Sequence, residues 1–209
     1  MDNTIKNVGY WSGIVAFTAT LAFYIVQMLQ IWGTLSFPWD EILIYGFSLC
    51  ITIPFLIEML ALHHIVPPTK KFWSHGALLC TVIYVVFVTA NYVVQLATVI
   101  PMTIQGNAGD IQLLRQTPHS LLWDFDAAGY IFMGLATLFA APVFAKQGFQ
   151  KWVRYSLLAH AAVTPLIAFV YFYPNFSNSL LMLATPWAIT APLFMLLLAI
   201  TFKKSEEIK

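Results

Sequence analysis

Long apolar stretches separated by short polar segments dominate this chain. Each stretch is at least as long as the ~20 residues that an α-helix needs to cross the hydrocarbon layer of a bilayer. The stretches do not alternate apolar and polar residues as barrel strands do, and a backbone in lipid must pair its polar groups within its own segment. The pattern therefore predicts an all-α, polytopic membrane helix bundle with six transmembrane helices. The predicted spans are residues 9–33, 42–62, 73–100, 125–145, 153–173 and 179–202.

The basic residues divide unevenly between the two sides of these spans. Nine of the ten Lys and Arg residues fall on one side when successive spans cross in alternate directions, and only Arg115 falls on the other. Lys and Arg in short loops mark the cytoplasmic side of a membrane protein. The sequence therefore predicts that the N- and C-termini are both cytoplasmic. The nine residues are Lys6, Lys70, Lys71, Lys146, Lys151, Arg154, Lys203, Lys204 and Lys209.

The composition supports this topology. Hydrophobic residues make up 60% of the chain and charged residues only 9%, whereas a soluble domain carries about 25% charged residues. The net charge of +1 gives no reason to expect a nucleic-acid partner. We expect a multi-pass protein of a prokaryotic cell (plasma) membrane, surrounded by membrane lipids. Composition leaves the oligomeric state open.

The longest connection between spans is segment 102–123, on the outer side with Arg115. It contains turn residues and then apolar residues at the spacing of a short amphipathic helix on the outer surface. We expect a single transmembrane domain, residues 1–209, that this loop divides into halves 1–101 and 124–209. Three spans in each half give the halves opposite orientations, as in many transporters. The loop either covers a functional site or merely links the halves.

Glu58 is the one acidic residue well inside a predicted span. An ionised side chain at that depth is costly unless it is paired, so Glu58 is expected to face the bundle interior. His160 lies at a similar depth from the cytoplasmic side, which makes Glu58 and His160 candidates for a proton relay. The alternative is that each residue is a structural hydrogen-bonding group between helices.

A second set of polar side chains lies nearer the outer side. Asn91 and Gln95 are four residues apart and share one face of the third helix. Gln27, Asp126 and Tyr130 come at a similar depth on other helices. These five residues are predicted to line an outward-open polar pocket that binds a ligand. Ordinary hydrogen bonds between helices, together with capping of a helix by Asp126, are the alternative interpretation.

The histidine pattern does not favour a metal site. His63, His64 and His75 crowd one inner loop, but neither HxxxH nor HExxH spacing occurs in the chain. A haem held between helices needs histidines at membrane depth on two helices, and only His160 has that depth. A retinal Schiff base needs a lysine inside a helix, and no lysine lies there. We therefore expect no metal and no cofactor.

Three stretches carry a resemblance to a known group of proteins. NYVVQLATVIP, DFDAAGYIFMGLATLFAAPVF and LIAFVYFYP resemble segments of small uncharacterised integral membrane proteins of bacteria and archaea that are predicted to span six times. The resemblance implies the same topology, brings no activity with it, and draws attention to Asn91, Gln95, Asp126 and Gly129.

Three functions remain open from the sequence. The first is binding or transport of a small hydrophobic or protonatable molecule in a cavity within the bundle. The second is a membrane-embedded enzyme that acts on a lipid or isoprenoid, with Glu58 as acid or base. The third is a non-catalytic accessory subunit of a membrane complex.

Overall fold

The computed structural model describes residues 3–204, apart from the side chains of residues 108, 110 and 178. Lys209, one of the nine basic residues, lies outside this range. Six helices within it are long and apolar enough to cross a membrane, and no strand occurs among the described residues. The predicted all-α class and number of spans are thus confirmed. The longest α-helix of each span is α1 (Asn3–Ile31), α2 (Trp39–Ile65), α3 (Lys71–Val94), α4 (Leu121–Ala140), α5 (Gly148–Phe172) or α6 (Trp187–Lys203).

The helix bounds differ from the predicted ones mainly at two places. Helix α1 begins at Asn3, well before the apolar run, because its polar first turns are helical as well. The sixth span, Ser179–Lys203, agrees with the predicted residues 179–202, but it is not one regular helix, since it begins with a short helix, Asn178–Leu181, and a 3-10 turn. Helix α6 then starts directly after Pro186, a position that suits proline because it lacks an N–H donor.

Glycines with positive φ end two of the membrane helices. After α1, Gly33 has φ 69°, and the Thr34 N–H donates to Leu29 O at 2.9 Å. The third span ends in the same way: Gly106 has φ 84°, and the Asn107 N–H donates to Met102 O at 2.9 Å. Both are Schellman motifs, in which glycine adopts the left-handed conformation at no steric cost.

The six helices form a closed ring in chain order. Each helix packs against its neighbours in sequence, and α6 packs against α1 to complete the ring. Aromatic side chains fill the middle of the ring at the level of Phe55 on α2. Its ring lies 5.6 Å from that of Phe194 on α6 and 5.9 Å from that of Tyr84 on α3, measured between centroids. All three side chains are buried.

Small residues allow the close approach of α1 to its two neighbours. A Cβ added to Gly9 would lie 2.7 Å from the Phe202 ring on α6 and 2.9 Å from Ala61 Cβ on α2. A Cβ added to Gly13 would overlap the Glu58 carboxylate and lie 2.7 Å from Ala199 Cβ. The GxxxG sequence of α1 thus serves packing within the bundle.

One end of the bundle, here called the basic end, carries the described members of the one-sided basic set. Lys70 Nζ donates to Val143 O at 2.8 Å, and Arg154 Nη1 donates to Phe144 O at 3.0 Å. Lys71 Nζ donates to His63 O, the carbonyl of a residue in the last turn of α2. These cations satisfy carbonyl groups at helix C-terminal ends, where the helix dipole favours positive charge.

Candidate functional site

The opposite end, here called the loop end, contains a buried carboxylate with two side-chain donors. Asp126 lies on α4 and is only 2% exposed. Its Oδ1 accepts a hydrogen bond from Asn91 Nδ2 on α3 at 3.2 Å. Its Oδ2 accepts one from the Tyr171 hydroxyl on α5. Three consecutive helices are therefore joined through one carboxylate.

The long loop is tied to the same polar group. Asn91 Nδ2 also donates to Gln116 Oε1 at 2.9 Å. Gln95 Nε2 donates to Leu114 O at 2.7 Å, and the Gln116 N–H donates to Gln95 Oε1 at 3.3 Å. Segment 105–120 is thereby fastened over the ends of α3 and α4. We call Asn91, Gln95, Gln116, Asp126 and Tyr171 the loop-end network.

Local backbone features set the positions of these side chains. Helix α3 continues into a π-helical turn, Gln95–Val99, where the Ile100 N–H donates to Gln95 O, and then into the helical segment Ile100–Ile104. Such π turns are frequent at functional sites. Helix α4 is capped by Ser120, whose Oγ accepts from the Trp123 N–H at 3.2 Å. Because Ser120 supplies the cap, the capping role suggested for Asp126 is wrong, and its carboxylate faces the neighbouring helices.

Tyrosines and a tryptophan connect this network to the middle of the ring. The hydroxyl groups of Tyr92 and Tyr130 are 3.0 Å apart. The Tyr130 ring lies 5.3 Å from that of Trp187, and the Tyr24 ring is stacked on Trp187 at 6.3 Å. Trp187 is buried, and its indole Nε1 has no hydrogen-bond partner among the described residues. A donor left open in this way is able to bind an acceptor atom that enters the bundle.

Gln27 does not hydrogen-bond to the loop-end network. Its Nε2 donates to Gln30 Oε1 at 2.9 Å, and Gln30 Nε2 donates to Asp40 Oδ2 at 2.9 Å. These bonds join the end of α1 to the start of α2. Gln27 was expected to share one polar pocket with Asn91 and Asp126. Its amide instead takes part in the hydrogen bonds between α1 and α2.

Glu58 and His160 do not form the contact that the sequence suggested. Glu58 is fully buried, and neither carboxylate oxygen has a hydrogen-bond partner among the described residues. His160 Nδ1 instead lies 3.1 Å from Thr190 Oγ1, and the imidazole lies 4.8 Å from the Phe194 ring. Helices α2 and α5 are opposite each other in the ring. The two side chains also meet α6 at different levels, Glu58 beside Ala199 and His160 beside Thr190, so the predicted contact does not form.

The histidines of the basic end are engaged locally. His63 Nδ1 lies 2.9 Å from Ser74 Oγ, and the His63 and His75 rings are 5.6 Å apart. Within residues 3–204, no three His, Cys, Asp or Glu side chains come together in a group that could hold a metal ion.

Two members of the loop-end network were not expected from the sequence. Gln116 sits in a polar loop, where a glutamine is common, and Tyr171 sits where aromatic residues often mark a membrane interface. The proximity of Gln116 to the lone outer cation, Arg115, is the one signal that the sequence offered. For Tyr171 we find no such signal beyond its place in the stretch LIAFVYFYP.

Comparison with known proteins identifies no family for this chain, so its class is described by its fold alone. No protein-family model matches the chain, and no curated protein or solved structure matches it either. The six apolar helices define a multi-pass membrane protein. The resemblance to small six-span proteins of bacteria and archaea stays a prediction.

Proposed function

We propose that this protein binds, and carries through the membrane, a small hydrophobic molecule with a protonated or otherwise cationic group. The observation that supports this proposal is the buried Asp126 carboxylate, which is hydrogen-bonded by the neutral donors Asn91 and Tyr171. Acidic side chains inside a membrane protein commonly mark the path of a proton or substrate, because burying them is otherwise costly. A cationic ligand would supply the positive charge that the network lacks.

The loop is the proposed cover of this site. Its contacts with the bundle include the hydrogen bonds of Gln95 and Gln116, which are weak enough individually to break and reform. When they break, the Asp126 carboxylate becomes reachable from the loop end. The open indole N–H of Trp187 lies further along the same row of aromatic rings and would bind an acceptor atom of the ligand.

The proposed setting is the plasma membrane of a bacterium or archaeon, with the basic end in the cytoplasm. The support is the one-sided distribution of Lys and Arg, which follows the rule for cytoplasmic loops. Asp126 would then lie near the extracellular side. Accessibility of single cysteines introduced at the exposed loop position Gln112 and at Lys146, in intact cells, tests this orientation; labelling of the Lys146 position from outside would reverse it.

Matched lipophilic ions test the proposed ligand class. We expect tetraphenylphosphonium to bind the purified protein in lipid nanodiscs, and tetraphenylborate, which has a similar shape and opposite charge, to bind much more weakly. Asp126→Asn should remove the difference, whereas Asp124→Asn, at an exposed position on the same helix, should preserve it. Equal binding of the cation by wild type and Asp126→Asn would refute the proposal.

The enzyme hypothesis has one observation in its favour, the unpartnered carboxyl group of Glu58. A general acid requires such a proton-bearing group within reach of its substrate. An enzyme should convert an added lipid or isoprenoid in detergent without any ion gradient, and Glu58→Gln should abolish the conversion. A non-catalytic accessory subunit should instead co-purify with a partner chain and show neither ligand binding nor conversion.

A further inference from the structure

Glu58 occupies a notch where three helices meet near the basic end. Its side chain extends from α2 to the backbone of Gly13 on α1 so closely that a Cβ there would overlap the carboxylate. Ala199 on α6 closes the same notch, with its methyl group 2.7 Å from the position of that Cβ. Gly13 and Ala199 thus present C–H groups to the carboxylate. Both carboxylate oxygens are buried and lack a hydrogen-bond partner in the described part of the chain.

The charged and titratable groups on the adjoining helices are directed elsewhere. On α6, Lys203 Nζ lies 4.6 Å from the centroid of the Tyr10 ring of α1 and 3.4 Å from Asn7 Oδ1. On α2, the next titratable side chain, His63, contacts Ser74 on α3. Neither oxygen of the Glu58 carboxyl group is bonded to a charged side chain among the described residues. The notch thus holds a carboxyl group without a counter-charge.

A metal cation is a poor occupant of this notch. Hard cations such as Na⁺ or Ca²⁺ need about six oxygen ligands around them, and the carboxylate of Glu58 faces a glycine and an alanine. A proton needs no further ligand, because a neutral carboxylic acid can be buried among C–H groups far more readily than a carboxylate. The shape and chemistry of the notch therefore suit a proton.

We propose that Glu58 is a proton-binding site at the junction of α1, α2 and α6, which holds an exchangeable proton as a neutral carboxylic acid. Release of the proton exposes a negative charge that the closed notch cannot accommodate, so exchange requires α1 to move away from α2 and α6. The O–H bond breaks and the proton passes to water that enters from the basic end. This site is separate from Asp126 and does not depend on the proposed ligand.

Infrared spectroscopy of the protein in lipid bilayers tests the proposal directly. A protonated carboxylic acid has a C=O stretch separate from the bands of a carboxylate, and labelling all glutamates with ¹³C shifts that band without any mutation. At neutral pH we expect a glutamate band of the protonated form that moves when H₂O is replaced by D₂O. Absence of this band would overturn the proposal. A band that persists in D₂O without shifting would overturn it as well, because the proton would then not exchange.

Two substitutions assign the band to its residue. Glu58→Gln should remove it, whereas Glu41→Gln, at the other end of the same helix, should leave it in place. Persistence of the band in folded Glu58→Gln protein would refute the assignment. If Glu58→Gln does not fold, the ¹³C shift in the wild type combined with Glu41→Gln still decides whether a protonated glutamate is present in the bundle.

Gly13→Ala tests the coupling of exchange to helix separation. The added methyl group overlaps the carboxylate, so the notch cannot close around Glu58 as in the wild type. We expect severalfold faster proton exchange at Glu58 in this variant. Gly46→Ala on α2, where an added Cβ meets nothing within 4 Å, should exchange at the wild-type rate. An unchanged rate in Gly13→Ala would overturn the coupling.

Discussion

Two buried carboxyl groups, one near each end of the bundle, differ in their hydrogen bonding and in their surroundings. Asp126 is 2% exposed and Glu58 is 0% exposed. Asp126 accepts hydrogen bonds from Asn91 and Tyr171, and through Asn91 it is connected to the long loop. Glu58 accepts none from the described residues and lies beside Gly13 and Ala199. A bundle can evidently bury an acidic side chain either by surrounding it with donors or by packing it among C–H groups.

The difference implies that the two ends respond differently to substitution. At the loop end, stability depends on matching each buried donor with an acceptor, so removing the carboxylate leaves other groups unsatisfied. At the junction of α1, α2 and α6, stability depends on the space available to one side chain, so adding volume is harmful and removing polarity is not. Each of the following variants tests one side of this comparison.

Asp126→Ala should have the largest effect. It leaves one N–H of the Asn91 amide and the Tyr171 hydroxyl buried without their acceptor, at about 1–3 kcal/mol for each group. We expect the free energy of unfolding in detergent to fall by about 2–4 kcal/mol. The measurement is equilibrium unfolding by increasing denaturing detergent. Asp124→Ala, at an exposed position on the same helix, should change it by less than about 0.5 kcal/mol; a similar loss in both variants would show that the network adds nothing.

Gly13→Ala should rank second, because it tests space at the other carboxyl group. Overpacking of a well-packed interior costs about 1–3 kcal/mol, and we expect a loss in that range, measured by the same unfolding assay. Combining it with Glu58→Ala should recover part of the loss, since the overlapping carboxylate is then absent. Gly46→Ala is the matched control and should be neutral or slightly stabilising. Strict additivity in the double variant would contradict the notch described here.

Gln116→Ala should have a smaller effect that is confined to the loop. It removes the acceptor of one Asn91 donor, worth about 1 kcal/mol. Hydrogen–deuterium exchange should become faster in segment 105–120 and remain unchanged in α1. Gln112→Ala, at an exposed position in the same loop, should not alter exchange. If both variants exchange alike, the loop is held by contacts other than those of Gln116.

Glu58→Met should have the smallest effect on stability. Methionine has a similar length and fills irregular space without needing hydrogen bonds. Replacement of a buried charged or polar group by an apolar residue of similar volume is often neutral or stabilising by about 1 kcal/mol or more. We expect the unfolding free energy to stay the same or to rise. A loss as large as that of Asp126→Ala would mean that Glu58 has a stabilising partner, and the comparison would fail.

The sequence predicted the six helices, for simple physical reasons. Crossing a bilayer imposes a length and an apolar composition, so all six spans are visible as hydrophobic runs. Depth along a helix can also be counted from the sequence, and Asn91, Gln95 and Asp126 do lie together at one level. The basic residues that were predicted to share one side include Lys70, Lys71 and Arg154, which bind helix carbonyl groups at one end of the bundle.

Which helices are neighbours could not be predicted from depth. Glu58 and His160 were expected at similar depths, but α2 and α5 are on opposite sides of the ring, and the two side chains meet α6 at different levels, beside Ala199 and Thr190. Gln116 was missed for a related reason. A polar residue in a loop has the same local sequence whether it faces water or folds back onto the bundle, and only the closed structure separates these cases.

Because the ring closes between α1 and α6, the contacts of α1 are completed only after α6 has been synthesised. Among the six helices, α1 is made before the others, and one of its two neighbours, α6, is made after them. Until residues 187–203 arrive, the groove of Gly9 and Gly13 has only one wall and Glu58 lacks the contact that Ala199 provides. Until α6 packs against them, the pair of helices α1 and α2 leaves the Glu58 side chain at an open edge, and α6 is the helix that covers it.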